Sequence, residues 1–327
     1  MRNKALPLSA LRKLPEFGAL VGFLTFFVIF SAFGKSFFTL SNLSAVLTLS
    51  AELGILSVAV TLLMVSGEFD LSVSSVYAIC ALLFIDLGSA GIPSLFVFVL
   101  VLAVAAFIGL ANGVLTTVVG VPSFIATLGM MMAVRGIIYI FTGGAAFAYK
   151  GDLVIPALLS LRFGETLRLS ETDPLAYLRP SHVWFLLFII VFTVLLFRTR
   201  YGNHVIATGG HPETARAMGV KTGRVKTINF MICGVMAGMS GIIIAGRFLM
   251  VSPTMGQGLE LEAIAAVVIG GTSLRGGHGT IAGTLFGVLL VSMVRGGLLM
   301  IGAPPYWYSG IVGLILLFAT VINLKMR

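Results

Sequence analysis

Ten apolar runs, most of them close to the length of a bilayer core, constrain this 327-residue chain more than any other feature. A crossing helix needs about 20 apolar residues. In lipid, only helices and closed barrels satisfy their own backbone polar groups. Eight runs stand out: 17–34, 44–65, 94–118, 122–142, 183–199, 226–248, 280–301 and 306–324. Two shorter ones, 75–90 and 259–273, are interrupted by glycine or serine. Only 10% of residues are charged, against about 25% in a soluble domain. The expectation is an all-α polytopic membrane protein of about ten transmembrane helices, with residues 1–327 forming a single transmembrane domain.

Charge placement then orients the runs. The 198–226 loop carries Arg198, Arg200, Arg216, Lys221, Arg224 and Lys226 against one acid, Glu213. Short loops so biased stay on the cytoplasmic side. The 143–182 segment balances Lys150, Arg162, Arg168 and Arg179 with Asp152, Glu165, Glu171 and Asp173, which suits the external face. Arg2, Lys4, Arg12 and Lys13 precede the first run, which reads as a retained anchor rather than a cleaved signal. Ten crossings put both termini inside, with Lys325 and Arg327 at the end. The net charge of +9 is thereby explained by topology, and no nucleic-acid partner is expected.

The basic loop contains a short helix signal. Pro212 suits a first helical position, Glu213 the positive helix start, and Gly219 the position just past the end. The expected helix is Pro212, Glu213, Thr214, Ala215, Arg216, Ala217 and Met218, with a Glu213–Arg216 pair and a small apolar face of Ala215 and Met218. So short a helix needs its loop or a partner surface to hold it. A structured loop on a chain with little soluble mass suggests docking; an ordinary surface turn is the competing reading.

Two other stretches break the apolar pattern. In Gly67–Ser75, Phe69, Leu71 and Val73 alternate with Asp70, Ser72 and Ser74, which predicts irregular backbone capped by side-chain oxygens, with a proton relay the competing reading. Because this topology puts the stretch near the cytoplasmic face, its acids are expected to be inexpensive. Further on, Glu260 and Glu262 open a short apolar run that ends in Gly270-Gly271 and Gly276-Gly277. A nucleotide-binding loop needs Gly-Lys-Ser/Thr after a glycine five positions earlier, and neither this turn nor Gly34-Lys35-Ser36 provides it. The glycines instead suit two half-helices reversing inside the protein. Gly109/Gly113, Gly234/Gly238 and Gly279/Gly283/Gly287 are helix-packing spacings.

Catalytic constellations are weak in the sequence. His182, His204, His211 and His278 are scattered, and Cys80 and Cys233 sit inside apolar runs. Asp70, Asn112, Phe124 and Glu260 are the candidates for a solute path, with Arg135 a further cavity-lining group. Tyr306, Trp307 and Tyr308 fit either a sugar-stacking surface or an interfacial aromatic belt.

Taken together, these motifs resemble the permease subunit of bacterial ABC importers for ribose, xylose, galactose and similar monosaccharides. GEFDLSVSS at 67–75, VPSFIATLGMMMAVRG at 121–136, the 200–226 loop and GLELEAIAAVVIGGTSLRGGHGTIAGTLFG at 258–287 carry the likeness. Glu68 and Ser74 stand where that family has glycine. The resemblance implies a vitamin-B12-importer-like (type II) fold and no enzymatic activity in this chain. No cofactor is expected on it, ATP and Mg residing on a partner. The implied partners are two ATPase subunits, a second permease, identical or paralogous, an external substrate-binding protein, the solute and membrane lipid. Pro212–Met218 would be the ATPase-coupling helix on the cytoplasmic side, and the protein itself would lie in the bacterial cytoplasmic (inner) membrane. Furanosyl autoinducers, nucleosides or riboflavin-like solutes are alternative cargoes, and an ion-coupled secondary transporter is the alternative class.

Overall fold

The computed structural model describes residues 16–33, 37–170, 173–304 and 306–326. Expectations resting on Arg2, Lys4, Arg12, Lys13, Gly34-Lys35-Ser36, Glu171 and Arg327 lie outside those residues. In chain order the helices begin with α1 (Phe17–Phe33), α2 (Leu40–Val65), α3 (Val73–Ser89) and α4 (Ser94–Val114, continued by a π turn to Val119). Next come α5 (Ser123–Thr142), α6 (Val154–Leu159), α7 (Phe163–Leu167), α8 (Pro180–Arg198), α9 (Arg200–Gly210) and α10 (Pro212–Ala217). The last are α11 (Thr222–Phe248), α12 (Leu259–Ile269), α13 (Ile281–Met300) and α14 (Trp307–Met326).

Six of these helices, α2, α4, α5, α8, α11 and α13, are long and apolar enough to cross a membrane. The apolar stretches of α1, α3 and α14 are shorter. With one two-residue strand pair among the described residues, the polytopic all-α expectation holds at that level.

Burial sorts the spans into inner and outer. From Ala51 to Ser66 every residue of α2 and its cap is buried, as expected of a helix that is apolar on all sides. Its hydroxyls are satisfied within the helix, Ser57 donating to Leu53 O and Thr61 to Ser57 O, both at 2.8 Å. Helix α11 is the other central element; α4, α5 and α8 expose most of their apolar surface outward. Glycine lets the inner helices touch main chain to main chain. A Cβ on Gly109 or Gly234 would overlap Phe230 O or Ala105 O across the α4–α11 seam. One on Gly283 or Gly287 would overlap Gly270 O or Ala266 O across the α12–α13 seam. The glycine spacings therefore serve packing within the chain.

The bundle has two distinct ends. At one, strands β1 (Phe147–Ala148) and β2 (Met250–Val251) pair antiparallel, Phe147 opposite Val251. Asp152 caps α4 there, accepting from Ser94 N at 2.8 Å and from Ser94 Oγ. Those bonds hold its carboxyl below the usual carboxylate range. The 143–182 segment is more ordered than a loop, folding into α6, α7 and a 3₁₀ turn over Pro174–Tyr177. The other end carries the α9–α10 hairpin.

Candidate functional site

The hairpin is built from its own sequence outward. Thr199 Oγ1 caps α9 by accepting from Gly202 N at 3.1 Å. Gly202, Val205 and Thr208 turn inward while Arg200, Asn203 and His204 stay exposed. Helix α10 starts at Pro212 and ends in a closed C-terminal motif. Gly219 takes φ +87°, Val220 N bonds to Ala215 O and Gly219 N to Arg216 O, each at 2.9 Å. The observed helix stops one residue before the expected Met218, which serves as the cap.

Two details of the expected coupling helix are corrected. Among the described residues, no ion pair joins Glu213 to Arg216; Arg216 Nε donates to Thr222 Oγ1 at 3.1 Å, tying α10 to the first turn of α11. Nor do Ala215 and Met218 form one apolar face. Ala215 is 5% exposed against its own chain, whereas Met218 is 80% exposed. Glu213, Thr214, Arg216 and Ala217 are also exposed.

Behind the hairpin, four segments converge on backbone contacts. Gly277 N donates to Val65 O at 2.8 Å. A Cβ on Gly209 would overlap Val65 O, and one on Gly276 would lie 2.8 Å from Gly67 Cα. The hairpin thus abuts the end of α2, the start of the 66–72 break and the 270–279 turn. Beside this junction, Lys226 Nζ and Glu68 Oε1 form an ion pair at 2.5 Å. Tyr201 OH donates to Asn229 Oδ1 at 2.6 Å.

The 66–72 break runs alongside α5. Leu71 N donates to Thr127 Oγ1 at 3.1 Å, and Ser75 Oγ to Met131 O at 2.8 Å. From Ser123 to Met131 is eight residues of helix, about 12 Å of rise. Helix α3 therefore begins well inside the bundle. Asp70, expected at an inexpensive hydrated face, is 2% exposed. Its Oδ1 accepts from Ser72 N at 2.8 Å, from Ser72 Oγ at 2.6 Å and from Asn112 Nδ2 at 3.5 Å. Irregular backbone capped by side-chain oxygen is what the alternation predicted. The physical reason for the burial is the climb along α5, which carries the break away from the hairpin end.

A second break, 249–258, enters from the sheet end. Arg135 of α5 donates from Nη1 to Pro253 O and Met255 O, both at 2.9 Å, and from Nη2 to Ser74 O at 3.3 Å. The 11-residue α12 that follows rises only about 16 Å, half of a bilayer core. Of the four candidate path residues, the structure joins Asp70 to Asn112 at the first break. Glu260 lies on α12 beside Arg135, lining the same recess. Phe124 stands 57% exposed near the start of α5.

Sequence reasoning missed a charged cavity of about 240 Å3 lined by Glu52, Arg247, Glu262, Arg295, Tyr77 and Tyr308 among others. Glu52 Oε1 and Arg247 Nε are 2.8 Å apart, and Arg295 Nη1 and Glu262 Oε2 3.5 Å. Neither Glu52 Oε1 nor Arg247 Nε has an aligned hydrogen bond, so that contact is an ion pair only. The signal was legible: an acid inside an apolar run is costly and seeks a partner. Helix α9 was missed too, because its three inward residues were hidden in a basic loop.

Buried central helices, two backbone breaks and an exposed hairpin at one end define a polytopic all-α membrane protein. The chain belongs to the family described as branched-chain amino acid transport system / permease component, which matches residues 42–320. It is 32% identical over 319 residues to the ribose import permease protein RbsC of Escherichia coli K12, covering 96% of this chain and 95% of that one. It is also 32% identical over 314 residues to the autoinducer 2 import system permease protein LsrC of Yersinia pestis Pestoides F, covering 94% and 84%. No solved structure matches. The chain is thus a multi-pass inner-membrane ABC permease and not an enzyme, the ATPase activity sitting on a separate subunit.

Proposed function

We propose that this permease passes a small polar solute, a monosaccharide by preference, inward across the cytoplasmic membrane. Relatives named for ribose and for autoinducer 2 support that cargo class. In this reading the chain is one transmembrane domain with ten crossings and the type II arrangement. Both termini and 198–226 face the cytoplasm, and 143–182 faces outward. Two permeases, identical or paralogous, flank the path, and Asp70, Asn112, Phe124 and Glu260 are its candidate lining. Two ATPase subunits carry ATP and Mg, and an external binding protein delivers the solute.

One observation carries the coupling role. Helix α10 is closed at its C-terminus and backed by the glycine junction, yet it holds Met218 80% exposed. A large apolar side chain that contributes little to its own fold, on an element this firmly seated, suits a groove in a partner. ATPase closure would then shift the balance between outward- and inward-open states through α10.

Met218→Asp in the assembled importer should cut solute uptake at least tenfold while membrane insertion stays intact. Uptake at the unsubstituted rate would remove the docking role. Orientation has its own test: Thr214→Cys should resist impermeant maleimide added outside intact cells, and labelling there would reverse the topology.

A further inference from the structure

The starts of α3 and α12 meet inside the bundle. Gly256, three residues before α12, lies where a Cβ would come 2.7 Å from the Tyr77 ring and 3.2 Å from Ser74 O. Arg135 pins this meeting point from α5 with three of its five N–H groups. Two donors remain on the guanidinium. Around it is a recess of about 330 Å3, lined by Ser74, Met131, Met132, Arg135, Gln257 and Glu260 together with Gly258. Glu260 is only 9% exposed, and its Oε2 has no hydrogen-bond partner. A buried carboxylate oxygen left bare is costly unless something donates to it.

We propose that this recess is one subunit's half of a binding site for a neutral polyhydroxylated solute, Arg135 donating to and Glu260 accepting from neighbouring hydroxyls. The proposal rests on the importer reading above. The recess opens beside Met132, which shares an exposed stripe of α5 with Ile125 and Tyr139 at seven-residue spacing. In that reading a second permease covers the stripe and closes the site.

The chemistry selects the ligand class. The helix starts of α3 and α12 add a positive field to that of Arg135. Glu260 offsets it and supplies a charged acceptor, so a solute carrying net charge of either sign meets an unmatched group. Hydroxyls both donate and accept, and a pair on adjacent carbons suits a guanidinium N–H beside a carboxylate oxygen. Met131 and Met132 provide an adaptable apolar wall for the C–H face of such a ring. Small-ligand pockets begin at about 300 Å3, a volume this half reaches alone.

The test uses the complete importer in proteoliposomes, probed with D-ribose, D-xylose, D-galactose and, as charged controls, D-gluconate and D-glucosamine. At least one neutral sugar should be taken up and neither control. Uptake confined to a charged control, or to no sugar at all, would overturn the sugar reading and this site with it. For the sugar carried, Glu260→Gln should raise KM at least tenfold, with a smaller change in kcat. In otherwise unsubstituted protein, Met132→Cys should react with maleimide at least fivefold more slowly when that sugar is present, a readout independent of whether the Glu260 variant assembles. Sugar uptake without protection at position 132 would overturn the half-site while leaving the importer reading standing.

Discussion

Between Ser66 and Ser72 the main support is short-range, one oxygen of Asp70 taking the amide and hydroxyl of Ser72 two residues away and reaching to Asn112, while the Leu71 amide takes Thr127 of α5. Between Leu249 and Gly258 the opposite holds. There the carbonyls of Pro253 and Met255 depend on Arg135, a residue more than 100 positions earlier on another helix. Each break precedes a helix that starts inside the bundle, so their architectural task is alike. Their means of support differ, and with them the ease of change. The first break carries its own carboxylate cap and takes a hydroxyl of α5 as a further support. The second break, two of whose carbonyls rest on one guanidinium of α5, is the more exposed to movement of that side chain, and it borders two cavities, the charged one and the Arg135 recess.

Substitutions can break or sharpen that contrast. The largest effect is expected for Asp70→Ala, which takes the acceptor from both the amide and the hydroxyl of Ser72 in the interior at a cost of roughly 2–4 kcal/mol. Thermal unfolding of the purified permease in detergent should register it plainly; an unchanged midpoint would mean the first break is not held by its carboxylate. Arg135→Lys comes next. An ammonium cannot reach three carbonyls in the fork geometry of arginine, so about 1–2 kcal/mol should be lost. Unlike Asp70→Ala, it should also speed modification of a cysteine placed at Met255, and equal reactivity in both backgrounds would erase the distinction between the breaks. The smallest effect is expected for Lys226→Gln, because its pair with Glu68 is partly exposed and worth roughly 0.5 kcal/mol. A loss as large as that of Asp70→Ala would show that the first break leans on the hairpin end after all.

Much of this architecture could be read from residue order alone. Several helices fall where apolar runs end at Pro, Gly or Ser, as at Pro122 and Gly143 around α5. The short helix α10 was legible from Pro212 and Gly219, because a fixed φ at one end and a left-handed residue at the other leave about two turns between. What could not be read were relations between distant segments. Nothing near Arg135 says that its partners are carbonyls at 253 and 255, and nothing near Glu52 announces Arg247. The Glu213–Arg216 pair failed for the same reason: helical spacing ranks local partners, and Thr222 became local only once the chain had turned at Gly219.

Where Val65, Gly209 and Gly277 touch, no side chain stands between one main chain and the next. Rotamers act as springs in most protein joints, and this joint has none. In the proposed coupling role, displacement applied at one side would reach the other with little loss, as through a shaft without play. Variation that retunes the response of such a machine is therefore expected at its contact tip or in its interior clasp, while the joint itself admits almost no substitution.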